Sequence, residues 1–254
     1  MRVLFVGDVY MAPGRKAFAQ YFEQVKSAYK PQFVIVNGEN IADGNGITAD
    51  IYKDLMAAGV HVVTLGNHAY TRRDAAEVLK LPNIIRPANY GAGAAGRESI
   101  TIDFNGKKVT VINLLGRVFM RDQIDNPFTK IDQILADLDS DYVIVDFHAE
   151  ATSEKICMGL YLDGRVDAVI GTHTHVPTAD AVKLPKGTLY VTDVGMTGVR
   201  YGVIGGLATQ GIRKFLTGVP ETVVPEPSGP LQFNAVFLDL VQKKIESIRI
   251  AQSA

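Results

Sequence analysis

Apolar residues in the first third of the chain come in short runs with amphipathic stretches between them. RVLFV (2–6), FVIVN (33–37), HVVTLG (61–66) and NIIRPA (83–88) are runs of strand length. Between them the period changes. From Pro13 to Lys30, Phe18, Tyr21, Phe22 and Val25 fall at helical spacing, with a proline near the start. Thr48 to Ala58 reads as a second helix, with Thr48 as N-cap and Gly59 as its stop. Arg72 to Leu81 reads as a third. This strand–helix alternation predicts parallel strands with helices packed on the sheet faces.

Beyond residue 98 the pattern shifts. SITIDFNGKKVTVINLLG (99–116) predicts a hairpin turning at Asn105-Gly106. A helix from Pro127 to Leu138 precedes the strand YVIVDF (142–147), and a helix over 153–163 precedes VDAVIG (166–171). GTLYVTDVG (187–195) is a further strand. LQFNAVFLDL (231–240) and KKIESIRIA (243–251) form a second hairpin, and PEPSGP (225–230) is a loop. The expectation is one domain over 1–254. Its fold class is α/β, a four-layer α/β/β/α sandwich of two mixed sheets with outer helices.

Composition narrows the functional classes. The 254 residues are 47% hydrophobic, enough for a large core, and carry a net charge of −1. That balance offers no basic nucleic-acid surface and no polybasic membrane patch. A single cysteine, Cys157, excludes an internal disulfide framework and a cysteine-rich zinc site; its helical neighbours Ile156, Met158 and Leu160 predict a core position. The apolar start is too short for a signal segment, and no run approaches transmembrane length, so a cytoplasmic protein is expected.

In an open α/β sheet the ligand site lies beyond the carboxyl ends of the strands. Here those ends deliver Gly7-Asp8, Gly38-Glu39-Asn40, Gly66-Asn67-His68, His148, and His173 with His175. Four of the five histidines belong to this set; His61 begins a strand and reads as structural. Each item alone is an ordinary turn residue. Together they form a mixed oxygen and nitrogen donor set without thiolate, suited to iron, manganese, zinc or cobalt. The donors outnumber what one tetrahedral zinc takes, so two metals fit better. Two divalent ions against Asp8 and Glu39 leave about +2 of charge. A bridging hydroxide and a phosphodiester monoanion would neutralise it, the arrangement of in-line phosphoryl displacement.

These residues resemble the calcineurin-like metallophosphoesterase superfamily, with its D-x-H, G-D, G-N-H-D/E, H and G-H-x-H motifs in this order. Tyr10 stands where the first-motif histidine is usual, Glu39-Asn40 replaces Gly-Asp, Ala69 replaces the acid after G-N-H, and Gly171 to His175 read G-T-H-T-H. GDVYMAPGR, NGENIADGNGIT, LGNHAY, RPANY, DFHAE and GTHTHVPTAD together resemble its YmdB-like branch over nearly the whole chain.

The resemblance implies the roles. Glu39 would bridge the metals, one oxygen to each. Asp8, Asn40 and His175 would complete the first site; Asn67, His148 and His173 the second. His68 would be the general acid. The implied cofactors are two divalent or mixed-valence ions, iron or manganese ahead of zinc or cobalt. The implied activity is hydrolysis of cyclic nucleotides, 2′,3′-cyclic nucleotides first, by a metal-bridging hydroxide. A metal-retaining regulatory or nucleotide-sensing protein is the rival from another class; a phosphomonoesterase or nuclease is the rival on the same fold. The expected partner is a small phosphodiester, with no membrane and no stable nucleic-acid complex, and the sequence is compatible with a homo-oligomer.

Other features of the sequence carry weaker signals. GAGAAG (91–96) matches G-x-G-x-x-G, but a strand pattern follows it and no helix presents an N-terminus to pyrophosphate. GVIGG (202–206) reads as a flexible loop, with an active-site flap as its functional alternative. Asn113, Arg117, Tyr10 and Arg15 lie near strand ends, and structural or solvated roles account for them more simply than substrate contact.

Overall fold

In the computed structural model, which describes residues 1–253, the alternating runs of the first third lie side by side. In chain order they are β1 (Arg2–Val6), α1 (Met11–Tyr29), β2 (Phe33–Asn37), α2 (Ala49–Ala57), β3 (Val62–Thr64), the single-turn α3 (Ala75–Val78) and β4 (Ile84–Ile85). The four strands are parallel, in the order β1, β2, β3, β4. Thr48 caps α2 as expected, its hydroxyl accepting from the Ile51 amide at 3.3 Å.

The second sheet is built from β5 (Ser99–Phe104), β6 (Lys107–Leu115), α4 (Pro127–Ala136), β7 (Tyr142–His148), α5 (Thr152–Tyr161), β8 (Ala168–Thr172), β9 (Val182–Lys183) and β10 (Leu189–Val191). Its order is β5, β6, β7, β8, β10, β9, with a parallel centre and antiparallel edges. Asn105 and Gly106 both take positive φ in the β5–β6 turn. The chain then returns to the first sheet through β11 (Gly198–Val199), α6 (Ala208–Thr217), β12 (Leu231–Asp239) and β13 (Lys244–Ala251). β12 runs antiparallel to β1, so both sheets are mixed.

Alternation along each strand sorts the core into layers. Val3, Phe5, Ile35, Val111, Ile144 and Ile170 pack between the sheets. Leu4, Val6, Val34 and Val36 face α1 and α2, while Leu114, Val145, Phe147 and Val169 face α4 and α5. The result is the α/β/β/α sandwich. Each buried Phe, Leu or Val contributes roughly 1.5–3 kcal/mol.

Four sequence expectations change. The third helix shortens to one turn. The fourth strand stops at Ile85, because Pro87 has no N–H for a ladder and the Arg86 side chain is buried, donating to the Pro87 and Ala94 carbonyls. The strand over 187–195 pairs only through Leu189–Val191. Cys157 is exposed, since α5 turns Lys155, Met158 and Gly159 inward and leaves Ile156, Cys157 and Leu160 outside. α6 was not expected at all. None of its residues is buried, and Phe215 is 84% exposed. Among the described residues no helix is long and apolar enough to cross a membrane.

Candidate metal centre

Parallel register brings the strand ends level. Asn37 lies beside Thr64 in the first sheet, and Leu115, His148 and Thr172 lie in one row across the second. The sheets are joined at this edge by buried polar contacts: Asn37 Nδ2 donates to Asp146 Oδ2 at 3.0 Å and the Leu65 amide to Asn113 Oδ1 at 3.3 Å. Asn113 is therefore structural. Asp8, Glu39, Asn40, Asn67, His68, His148, His173 and His175 all meet at this edge.

They form two groups. In one, His148 Nε2 lies 3.2 Å from Glu39 Oε1, 3.1 Å from Asn67 Oδ1 and 3.0 Å from His173 Nδ1. In the other, His175 Nε2 lies 3.1 Å from the Asn40 amide nitrogen and 3.8 Å from Asp8 Oδ1. Glu39 Oε1 also accepts from Asn40 Nδ2 at 2.7 Å. One oxygen of Glu39 thus faces both groups, while Oε2 accepts the His68 backbone amide at 3.2 Å. An amide flip keeps the shape of Asn40 and would turn its oxygen to the group.

The histidines of the G-T-H-T-H segment owe their divergence to backbone conformation. His173 has φ +101° and His175 φ +66°, both in a region that side chains avoid. Asp193 holds the strained loop: its Oδ2 accepts from the Thr174 amide and hydroxyl at 3.0 and 2.8 Å, and from the buried Lys155 ammonium at 2.7 Å. Gly171 is obligatory here, as a Cβ would stand 1.8 Å from the Thr192 carbonyl oxygen.

The outward nitrogen of each imidazole also has a partner. His148 Nδ1 meets Thr172 Oγ1 at 2.9 Å, and that hydroxyl donates to the buried Asp146 at 2.7 Å. His173 Nε2 lies 3.0 Å from Glu150 Oε2. His175 Nδ1 donates to the Ile204 carbonyl at 2.8 Å. Such partners fix tautomer and ring orientation. Asp146 and Glu150 escaped the sequence reading, although Asp146 alternates with His148 along β7 and so shares its side, and Glu150 follows His148 by two residues at a bend.

Charge follows from the packing. Burial opposes a proton on His148, but the Glu39 carboxylate, with Asp8 and Asp146 behind it, lifts its pKa to about 9. Burial would raise Glu39, yet His148, its hydrogen bond and the neighbouring imidazoles hold it well below the usual carboxylate range. Burial and the charge on His148 push His173 down to about 3. Burial raises Asp8 against the pull of His175 and His148.

The donors fit divalent cations. Glu39, His148 and His173 offer ligand atoms within 4.8 Å of one another. Asp8 Oδ1 is buried without a hydrogen-bond partner. Gly66 keeps the cradle open, since a Cβ would meet Glu39 Oε2 at 2.3 Å and His148 Nε2 at 2.4 Å. A dication would take the place of the proton on His148.

His68 stands beside this centre; its ring makes no hydrogen bond to either group, and buried Nδ1 has no partner. The remaining candidates have structural explanations. Tyr10 is buried with its ring edge-on to His175, centroids 5.2 Å apart. Arg15 donates to the Ile41 carbonyl, and Arg117 is exposed, its amide on Glu154. His61 accepts from the Val34 amide and stacks on Phe33. The GAGAAG loop wraps Arg86, which donates to the Ala94 and Ala95 carbonyls.

Residues 4–252 match the YmdB-like protein family. The chain is 43% identical to a 2′,3′-cyclic-nucleotide 2′-phosphodiesterase of Bacillus subtilis (strain 168), over 98% of this chain and 95% of that one. It superposes with TM-score 0.92 on a structure described as a novel phosphatase of Mycoplasma pneumoniae, 39% identical, covering 99% and 93% of the two chains. At 16% identity it shares the fold of a Staphylococcus aureus protein assigned as a 5′-nucleotidase, with TM-score 0.58 over 94% of this chain and 51% of the other.

Proposed function

The chain belongs to the family of YmdB-like proteins and is a phosphoric ester hydrolase; on that premise we propose that it is a metal-dependent phosphodiesterase acting on 2′,3′-cyclic nucleotides. The observation that carries this reading is the pair of donor groups sharing Glu39 Oε1, with an uncommitted histidine, His68, alongside.

Asp8, Glu39, Asn40 and His175 would hold one ion; Glu39, Asn67, His148 and His173 would hold the other. This donor set suits iron, manganese, zinc or cobalt, and the family resemblance puts iron or manganese first. When bound, such ions supply Lewis acidity toward phosphoryl oxygens and activate water for attack. The protein does the rest. Asp8 and Glu39 leave the loaded site about +2, which draws in an anionic diester. His68 delivers a proton from its imidazole to the departing ribose oxygen, a strong base that leaves poorly without one. The net charge of −1 supports a small substrate in place of a long nucleic acid.

The test is turnover. Protein loaded with manganese or iron should hydrolyse 2′,3′-cyclic nucleotides, lose the activity on chelation and regain it when metal is restored. Faster turnover of phosphomonoesters or of linear nucleic acid would replace the substrate assignment. Two tightly bound ions without turnover of any phosphate ester would favour a sensor.

A further inference from the structure

We infer that Glu150 is a positioning residue that fixes His173 as a metal ligand through its outward nitrogen; this rests on the two-ion reading above. The three imidazoles differ in which nitrogen they turn inward. His148 and His175 point Nε2 at the donor groups, whereas His173 points Nδ1, 3.0 Å from His148 Nε2. A ligating Nδ1 must carry a lone pair, so the proton sits on Nε2. Nε2 lies 3.0 Å from Glu150 Oε2. The carboxylate therefore selects the tautomer that ligates.

His173 needs such a partner more than its neighbours do. His148 is fully buried between strands, and His175 is 7% exposed, but the side chain of His173 is 21% exposed. Its backbone sits at φ +101°, so the main chain supplies strain where β-strand pairing supplies support to His148. Its partner is also the only anion among the three: His148 meets a hydroxyl and His175 a carbonyl. An anionic acceptor strengthens the hydrogen bond and raises the basicity of the ligating nitrogen. Glu150 reaches this place because it sits at the bend two residues past His148, where β7 ends, and β7 is adjacent to β8, which leads to His173.

The role divides into orientation and charge, and two variants separate them. Glu150→Ala removes both; Glu150→Gln keeps an oxygen that can accept from Nε2–H. Glu150 is half exposed, so neither change disturbs the core. Metal-free wild-type, Glu150→Ala and Glu150→Gln proteins would be titrated with manganese, following free ion by electron paramagnetic resonance, with circular dichroism to verify the fold. Wild type should bind two ions. Glu150→Ala should weaken one of them roughly tenfold to a hundredfold and leave the other unchanged. Glu150→Gln should recover part of that loss. Cobalt substitution should show a changed d–d spectrum for one ion only in Glu150→Ala. If wild type itself binds no manganese or cobalt, the two-ion reading fails. If wild type binds two ions and Glu150→Ala binds both equally well with an unchanged cobalt spectrum, the two-ion reading stands and the role of Glu150 falls.

Discussion

The two halves of the centre are held in opposite ways. The half around Glu39, Asn67, His148 and His173 is close: three donors lie 3.0 to 3.2 Å from His148 Nε2. Its imidazoles rest on the ends of adjacent parallel strands, and their outward nitrogens meet Thr172 and Glu150, which belong to or follow those strands. The half around Asp8, Asn40 and His175 is more buried, and Asn40 Nδ2 lies 3.1 Å from His175 Nε2, but it is open on its Asp8 side. Asp8 Oδ1 stands 3.8 Å from His175 and has no hydrogen-bond partner. Its imidazole is steadied by the carbonyl of Ile204, a β-branched residue at φ +47° in the loop over 202–206. Sheet register builds one half and a surface loop closes the other, so the two should differ in affinity and in sensitivity to change.

Glu39 is common to both halves, and its loss should have the largest effect. Glu39→Gln should empty both sites by elemental analysis and slow turnover by more than roughly 10⁴-fold, at least about 5 kcal/mol of barrier. Two retained ions at a normal rate would remove Glu39 from the centre.

His68 belongs to neither half. His68→Ala should keep its metal and lose about 10²–10⁴-fold on a cyclic nucleotide. The loss should be far smaller on an aryl phosphodiester, whose phenolate departs without a proton. Rates on both substrates at matched metal content give the comparison. Equal losses would assign His68 to binding phosphoryl oxygens.

Asn40 tests the open half directly. In wild type, stepwise chelation should release the ion of that half first. Asn40→Ala should weaken it by at least the roughly tenfold to hundredfold of a lost outer partner and spare the close half. Ions that leave together, with or without Asn40, would show a centre that behaves as one unit.

The loop gives the smallest effect. Gly205 has φ +95°, and a Cβ there would stand 2.4 Å from the Tyr10 ring. Gly205→Ala should cost roughly 1–3 kcal/mol of local strain and weaken only the ion of the open half, by a few-fold. Thermal melts and manganese titration read both. Equal weakening of the two ions would contradict a loop that serves one half.

The meeting of these residues at one edge was legible in the sequence because parallel strands of an α/β fold finish together, so short apolar runs followed by Asp8, Glu39, Asn67 and His173 suffice to bring them side by side. The hairpin at Asn105-Gly106 and the cap at Thr48 were legible for the same reason, as their chemistry is local. Cys157 was misplaced because a helix of ten residues among mixed neighbours leaves the inward face to the packing partner, which took Lys155 and Met158. α6 was missed although Ala208, Ile212, Phe215 and Leu216 fall at helical spacing: Gly211 interrupts that short run, and the apolar side it makes stays exposed. Tertiary structure alone decided what lies behind the donors: Ile204, 29 residues from His175; Asp193, 19 from Thr174; and the single oxygen of Glu39 that faces both groups. Those contacts depend on register and on loops crossing between elements, where hydrogen-bond partners are fixed by the whole packed edge and by no stretch of chain on its own.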